Sequence, residues 1–433
     1  VRLAAVMGRL FEALFAAGAA LFIGLAAIPQ AGAADMSRGA YLAKAGDCIP
    51  CHTAGPEAVP YAGGLPIESP FGIIYSTNIT PDPVHGIGRY TLDDFARAVR
   101  DGIAKDGRRL YPAMPYASFT AITDEDIRAL YDYFMHEVSP VSHAPPETRL
   151  PFPFNQRVGL FFWDLAFVDH ARFQPNEKRS AEWNRGAYLV QSLGHCGACH
   201  TPRGFAFQEK AYSEASPHYL SGAVINHWYA ANLRGDPASG LGRWQAADIV
   251  KFLQVGHGGG AMAFGSMTDV VENSMQYLRD DDLKAIALYL KSLPAGGEDA
   301  SFRPEGPDVA VKLAALQSGE VEQPGAGLYA SFCAKCHRLT GEGKPGRSPK
   351  LAGNSIVLAD NPTSLIRLLL EGAAPPKTGA NPKPHKMPGF AAKFTDSQVA
   401  EVLSFIRNSW GNDASPVTTR QVAMLRRALR KKP

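Results

Sequence analysis

The chain has almost no net charge: 44 Lys and Arg stand against 41 Asp and Glu in 433 residues, a formal +3. That balance gives no electrostatic case for nucleic acid or for an acidic substrate. Beyond the first 34 residues, no stretch is apolar enough to cross a bilayer. No G-x-G-x-x-G follows a strand pattern, and neither G-x-S-x-G nor H-E-x-x-H occurs. The signatures of flavin or nicotinamide binding, of a serine hydrolase and of a zinc protease are therefore missing. Cysteine is scarce, with six residues. What remains is a chain with 45% hydrophobic residues, long enough for two or three domains with cores of their own. The 42 glycines and 33 prolines point to many turns and linkers.

The N-terminus differs from the rest. Arg2 and Arg9 precede a run from Leu10 to Ile28 that is apolar except for Glu12. Pro29-Gln30-Ala31-Gly32-Ala33-Ala34 follows, with the small-x-small pattern of a signal peptidase site. Residues 1–34 read as a secretory signal cleaved after Ala33 or Ala34, the alternative being an uncleaved anchor helix. The mature chain is expected outside the cytoplasm. An exported chain with six cysteines normally suggests disulfides, but here the spacing argues otherwise.

Every cysteine falls in a C-x-x-C-H group: Cys48 and Cys51 with His52, Cys196 and Cys199 with His200, Cys333 and Cys336 with His337. Composition alone would give ~0.002 such matches in the chain, so three are not accidental. The pattern is that of c-type haem attachment. Two thiols bond the vinyl groups of one porphyrin, and the adjacent imidazole faces its iron. Three separate groups do not combine into four-ligand zinc sites. The expectation is three covalent haem c groups, spaced by 148 and 137 residues.

The repeat extends beyond the cysteines. Arg38-Gly39-Ala40-Tyr41-Leu42, Arg185-Gly186-Ala187-Tyr188-Leu189 and the looser Gly325-Ala326-Gly327-Leu328-Tyr329 each precede a haem group. Each predicts a helix with a glycine where another backbone approaches. Each repeat also closes on a helix of period 3.6, opened by Thr123-Asp124-Glu125-Asp126, Asp280-Asp281-Asp282 or Thr395-Asp396-Ser397-Gln398. Thr123 and Thr395 are expected N-caps, with Asp126 and Gln398 completing capping boxes. Tyr133, Tyr289 and Phe405 share one register.

Helix, C-x-x-C-H, loop and capped terminal helix is the order of the class I cytochrome c fold. On these words, and on Ser76-Thr77-Asn78-Ile79-Thr80-Pro81-Asp82, Met114-Pro115-Tyr116 and Gly194-His195-Cys196-Gly197-Ala198-Cys199-His200-Thr201-Pro202-Arg203-Gly204, the chain resembles the tri-haem cytochrome c subunits of membrane-bound bacterial dehydrogenases. Those serve alcohol, gluconate, sorbitol, fructose and aldehyde dehydrogenase complexes. The resemblance implies an all-α chain of three tandem class I cytochrome c domains, at 35–150, 151–300 and 301–433. It implies a catalytic dehydrogenase partner of flavin, PQQ or molybdenum type, with a small third subunit possible. Ubiquinone or a terminal oxidase chain would be the acceptor, at the periplasmic face of the inner membrane.

A haem that only passes electrons is closed on both sides, and methionine as sixth ligand raises the potential relative to His/His ligation. Met114 stands between Ala113 and Pro115, nine residues before Thr123, and Met387 precedes Pro388, eight residues before Thr395. In the second repeat Met267 is favoured over Met262 and Met275: it follows Gly256 by 11 residues, as Met114 follows Gly102 by 12, and it matches the family's position. His195 is expected beside a haem rather than on its iron. The competing functions are a peroxidase-like enzyme with one open iron position and a free periplasmic shuttle.

Ser139 to Pro153 and Pro294 to Pro324 read as linkers, the second with a short helix around Val309 to Gln317. Val158 to Val168 is apolar on nearly every face. It is expected to lie buried between domains, the alternative being a docking surface. The tail from Thr418 can form a helix with Val422, Leu425 and Leu429 on one side and bases opposite. It would either lie on anionic lipid or cap the third domain.

Overall fold

The computed structural model describes residues 36–297, 301–304, 318 and 323–430. The expected signal and the short helix near Val309 lie outside the described residues.

The first repeat opens with α1 (Arg38–Ala45), capped by the Ser37 hydroxyl accepting from the Ala40 N–H, and continues into α2 (Cys48–Cys51). A hairpin of β1 (Pro66–Ser69) and β2 (Gly72–Tyr75) follows, then α3 (Leu92–Asp101), α4 (Tyr116–Phe119) and the terminal α5 (Asp124–His136). After a connecting helix, α6 (Val158–Phe167), the pattern recurs. The second repeat has α7 (Ala181–Tyr188), running into a π turn at Leu189–Leu193, then α8 (Gly197–His200), β3 (Ala223–Ile225), β4 (Trp228–Ala230) and α9 (Ala246–Val255). It ends with β5 (His257–Gly258), β6 (Ala261–Met262), α10 (Ser266–Asn273) and the terminal α11 (Asp280–Lys291). A short β7 (Ser301–Phe302) leads to the third repeat. That comprises α12 (Ala326–Phe332), α13 (Ala334–His337), α14 (Ser355–Leu358), α15 (Thr363–Glu371) and α16 (Asp396–Arg407), then β8 (Asn412–Asp413), which pairs with β7, and the tail helix α17 (Thr419–Arg430).

The chain is helix-rich, but all-α is too strict: among the described residues, four two-stranded antiparallel sheets stand between the helices. They lie in the long connections between helices, where backbone N–H and C=O groups still need partners. Ile67 opposite Ile74 in the first hairpin is the β-branched pairing that favours a strand there.

The entry helix and terminal helix of each repeat cross at a glycine. A Cβ on Gly39 would sit 2.1 Å from the Ala129 carbonyl oxygen, and one on Gly186 2.0 Å from that of Ala285. In the third repeat Gly327, at the matching register, faces open space, and Gly325 makes the close approach to Glu401 instead.

The first two repeats share one apolar core running from Tyr41 to Leu293. The third has its own, from Ala326 to Leu425. It is joined to the second by polar seams: Ser364 exchanges hydrogen bonds with both backbone groups of Tyr229, at 2.8 and 2.9 Å. Arg367 donates to the Asn226 carbonyl and lies over the Trp228 ring, 4.1 Å from its centroid.

The segment after α5 is pinned rather than free. Asn78 donates to the carbonyls of Val141 and His143, and the Tyr75 N–H donates to the Thr148 hydroxyl. The expected burial of Val158 to Val168 is overturned: in α6 only Asp164 is buried. The tail helix turns Val422 and Leu425 into the core of the third repeat.

Candidate haem-iron centres

The three C-x-x-C-H groups sit at equivalent places, on a short helical turn after the entry helix. No two of the six cysteines are joined in a disulfide. Burial pushes the Cys48, Cys196 and Cys333 thiols up to about 12.

Each histidine is oriented in the same way. The Nδ1 of His52 lies 2.7 Å from the Thr77 carbonyl oxygen, that of His200 2.7 Å from Ala231, and that of His337 3.0 Å from Pro349. A carbonyl only accepts, so Nδ1 carries the proton and Nε2 keeps a lone pair for a metal. Burial lowers the pKa of all three imidazoles, the backbone bond opposing it, which favours that neutral form.

A porphyrin with propionates fits these surroundings, because each group has a buried polar atom nearby without a protein partner. These are Asp47 Oδ1 at the first, Arg203 Nε, Glu209 Oε2 and Tyr219 Oη at the second, and Thr340 Oγ1 at the third. Arg203 itself is a clamp. One Nη donates to the Ala198 carbonyl inside the second C-x-x-C-H loop, and its guanidinium lies 3.8 Å from Glu209. Burial pushes Glu209 up to about 7, with Arg203 opposing. Asp47 is also pushed up to about 7, by burial and then by Asp269. Asp47 stands in Gly46-Asp47-Cys48, one of the words that carry the family resemblance, whereas Glu209 was signalled by no motif and emerges only from the packing around the second group.

The methionines divide by location. Met114 stands in the loop before α4 and packs against the shared core. Met267 lies in the first turn of α10 and packs on that core too, Met275 is buried in it, and Met262 sits in β6 opposite His257. Met387 packs on the third core and is bridged to Ala373 by backbone hydrogen bonds of 2.9 and 3.0 Å. The equivalent bridges in the earlier repeats join Ile103 to Arg109 and His257 to Met262. Met114 and Met267 thus each follow the bridged residue by five positions, whereas Met387 is the bridged residue itself.

The first two groups adjoin one another. The Cys199 sulfur is near enough to raise the Cys51 thiol, and Asp47 acts likewise on Cys199. His195 stands at this junction with a positive φ of 35°, its ring edge-on to Phe119 at 5.5 Å. Burial lowers its pKa.

Six further residues hold the junction, and the sequence reading missed their role. Arg38 bonds Asp126 at 2.6 Å, and Arg185 bonds Asp282 at 2.7 Å, each within its own repeat. The tyrosines cross over. Tyr41 donates to Asp282 at 2.5 Å and accepts from the Arg279 N–H at 3.2 Å. Tyr188 donates to Asp126 at 2.6 Å and accepts from the Thr123 N–H at 3.4 Å. The available signal was the shared register of Arg38 with Arg185, Tyr41 with Tyr188 and Asp126 with Asp282.

A cytochrome c family model matches residues 322–410. The cytochrome c subunit of a quinone-type alcohol dehydrogenase from Gluconacetobacter polyoxogenes is 47% identical over 97% of this chain and 91% of its own length. A gluconate 2-dehydrogenase cytochrome c subunit from Pantoea cypripedii is 48% identical over 92% of this chain and 91% of its own. A fructose dehydrogenase cytochrome subunit from Gluconobacter japonicus is 40% identical over 90% of this chain and 82% of its own.

Proposed function

The chain belongs to the cytochrome c subunits of dehydrogenase complexes, which bind haem c covalently and transfer electrons rather than turn over the organic substrate, and from that premise we propose a tri-haem carrier of three cytochrome c domains (35–150, 151–300 and 301–433). The threefold recurrence of C-x-x-C-H with its histidine Nδ1 on a backbone carbonyl carries this reading. When bound, each haem supplies one-electron reduction and reoxidation of its iron. Cys48 with Cys51, Cys196 with Cys199 and Cys333 with Cys336 hold the three groups. His52, His200 and His337 would bind the haem iron through Nε2, and Met114, Met267 and Met387 would be its other protein ligands. The burial of Met275 in the core and the strand position of Met262 favour Met267 in the second domain.

The donor is a catalytic dehydrogenase subunit of flavin, PQQ or molybdenum type. The acceptor is ubiquinone, in line with the quinone named for the alcohol dehydrogenase relative, or otherwise a terminal oxidase chain. The place of work is the periplasmic face of the inner membrane. No helix among the described residues is long and apolar enough to cross a membrane.

The test is to isolate the chain with its partner from gently solubilised membranes, count haems per chain, and add alcohols, gluconate, sorbitol, fructose and aldehydes in turn. Three haems, reduced by one of these substrates, is the expected result. Two haems, or reduction by none, overturns it. In the same preparation, Met267→Leu removes one low-spin methionine-ligated signal and Met262→Leu removes none.

A further inference from the structure

The methionine loop of the third repeat is unlike its counterparts. In the first two repeats the backbone bridge closes a short turn, from Ile103 to Arg109 and from His257 to Met262. In the third it spans from Ala373 to Met387. A longer excursion costs more entropy to order, and one bridged pair does not fix its far end. Yet that end is held: Pro375, Pro376 and Thr378 are buried.

The holding surface belongs to the second repeat. Thr268, Glu272 and Gln276 are spaced four apart and line one face, from α10 into the turn that follows it. The Thr268 hydroxyl donates to the Ala374 carbonyl at 3.3 Å. The Lys377 N–H donates to Glu272 Oε1 at 2.6 Å. Gln276 meets both kinds of backbone group, accepting from the Gly379 N–H at 3.2 Å and donating to the Lys377 carbonyl at 3.4 Å. Its amide is oriented by also donating to the Glu272 carbonyl at 2.6 Å. Pro376 packs on Gly256 at the end of α9, where a Cβ would lie 2.1 Å from the proline ring.

The same surface carries the other methionine. Met267 precedes Thr268 in the first turn of α10. Ala374, which Thr268 reaches, follows Ala373, the residue bridged to Met387 by backbone hydrogen bonds of 2.9 and 3.0 Å. Met267 and Met387 therefore sit at the two ends of one hydrogen-bonded chain.

We propose that Thr268, Glu272 and Gln276 are positioning residues for the third haem: the second repeat holds the loop that carries Met387. This rests on the reading of Met387 as an iron ligand. A loop methionine stays on a metal only as well as its loop keeps still, and the groups behind a ligand set its affinity. The second repeat thereby governs how firmly the third haem is closed, and with it a potential that methionine raises.

The experiment titrates imidazole into the oxidised, haem-loaded full chain, since this outside ligand competes where methionine releases the iron. Met387→Leu first identifies the methionine-ligated signal of the third haem and gives the open reference. The double substitution Glu272→Ala/Gln276→Ala is expected to tighten imidazole binding at that haem at least about tenfold and to lower its potential, with haem content unchanged. Glu272→Gln, which keeps an acceptor for the Lys377 N–H, is expected to stay within about twofold of the wild type. Thr268→Val removes one hydrogen bond and is expected to act in the same direction by less; it decides the matter if the double variant loses haem. Imidazole binding at the third haem that none of these substitutions moves overturns the proposal. So does a change confined to the signal that Met267→Leu removes. If Met387→Leu removes no methionine-ligated signal, the ligand reading itself fails and the proposal falls with it, an outcome seen in that variant alone.

Discussion

The first two repeats and the third close the same helix terminus with different partners. In the third, the box is local: the Thr395 hydroxyl accepts from the Gln398 N–H, and the Thr395 N–H donates back to the Gln398 side chain at 3.0 Å. In the other two, the third residue of the terminal helix is an aspartate, Asp126 or Asp282, and its carboxylate is drawn away to an arginine. A tyrosine hydroxyl from the neighbouring repeat takes its place, accepting the cap N–H and donating to the aspartate. Each of the two repeats finishes the other's helix. The third repeat closes this terminus on itself and the first two close it on each other, and the cores follow suit: one shared, one separate.

The largest effect expected from this contrast is on haem content. His337→Ala should remove the third haem and leave the first two with their spectra and unfolding midpoint nearly intact. His52→Ala or His200→Ala should disturb both haems of the pair, because their sites adjoin. Haem counting and denaturant unfolding of each variant decide this. If the two removals proved as separable as that of the third, the pairing would carry no functional weight.

Next comes the terminus itself. Asp282→Ala strips Arg185 and Tyr41 of their shared acceptor and should cost about 2–3 kcal/mol. Asp126→Ala should cost somewhat less, since Arg38 is half exposed and better screened. Gln398→Ala, which loses only a local cap contact, should cost about 0.5–1 kcal/mol. Urea titration of the three variants measures the ranking.

The glycines sharpen the comparison on a similar scale. Gly39→Ala and Gly186→Ala drive a methyl into a carbonyl and should destabilise by about 1–3 kcal/mol. Gly327→Ala meets nothing and sits in a helix, so it should stabilise by up to about 1 kcal/mol. Thermal melts followed at each repeat's own haem band would separate them.

The smallest effect is on acid stability. Burial alone would raise Asp282, but hydrogen bonds from Arg185 and Tyr41 outweigh it and hold its pKa below the usual value. A depressed folded pKa gives stability that is present above the unfolded value of about 3.9 and is lost as pH falls through the folded one. Unfolding followed below pH 4 should show the paired repeats weakening, and Asp282→Asn should flatten that dependence.

Much of the candidate site was legible in advance. The C-x-x-C-H groups, the entry glycines and the caps at Thr123 and Thr395 are local patterns, and local patterns survive folding because they involve residues a few positions apart. Val158 to Val168 misled for the same reason. Its composition says apolar without saying which way it faces, and the answer lay in the distant Arg109 and Tyr116, which turn Asp164 inward. The expected box at Thr123 was half right: Asp126 supplies the N–H, but its carboxylate is claimed by Arg38 and Tyr188.

By itself, then, the sequence determined the pattern: where each C-x-x-C-H group falls and on which helical turn, since that is set by spacings of three to five residues. Only the tertiary structure decided the company those residues keep. That two repeats share a core while the third keeps its own, and that α6 shows phenylalanine to the outside, depend on contacts between residues up to 241 positions apart. A spacing rule carries no information over such distances, because the burial of a side chain is settled by what packs on it.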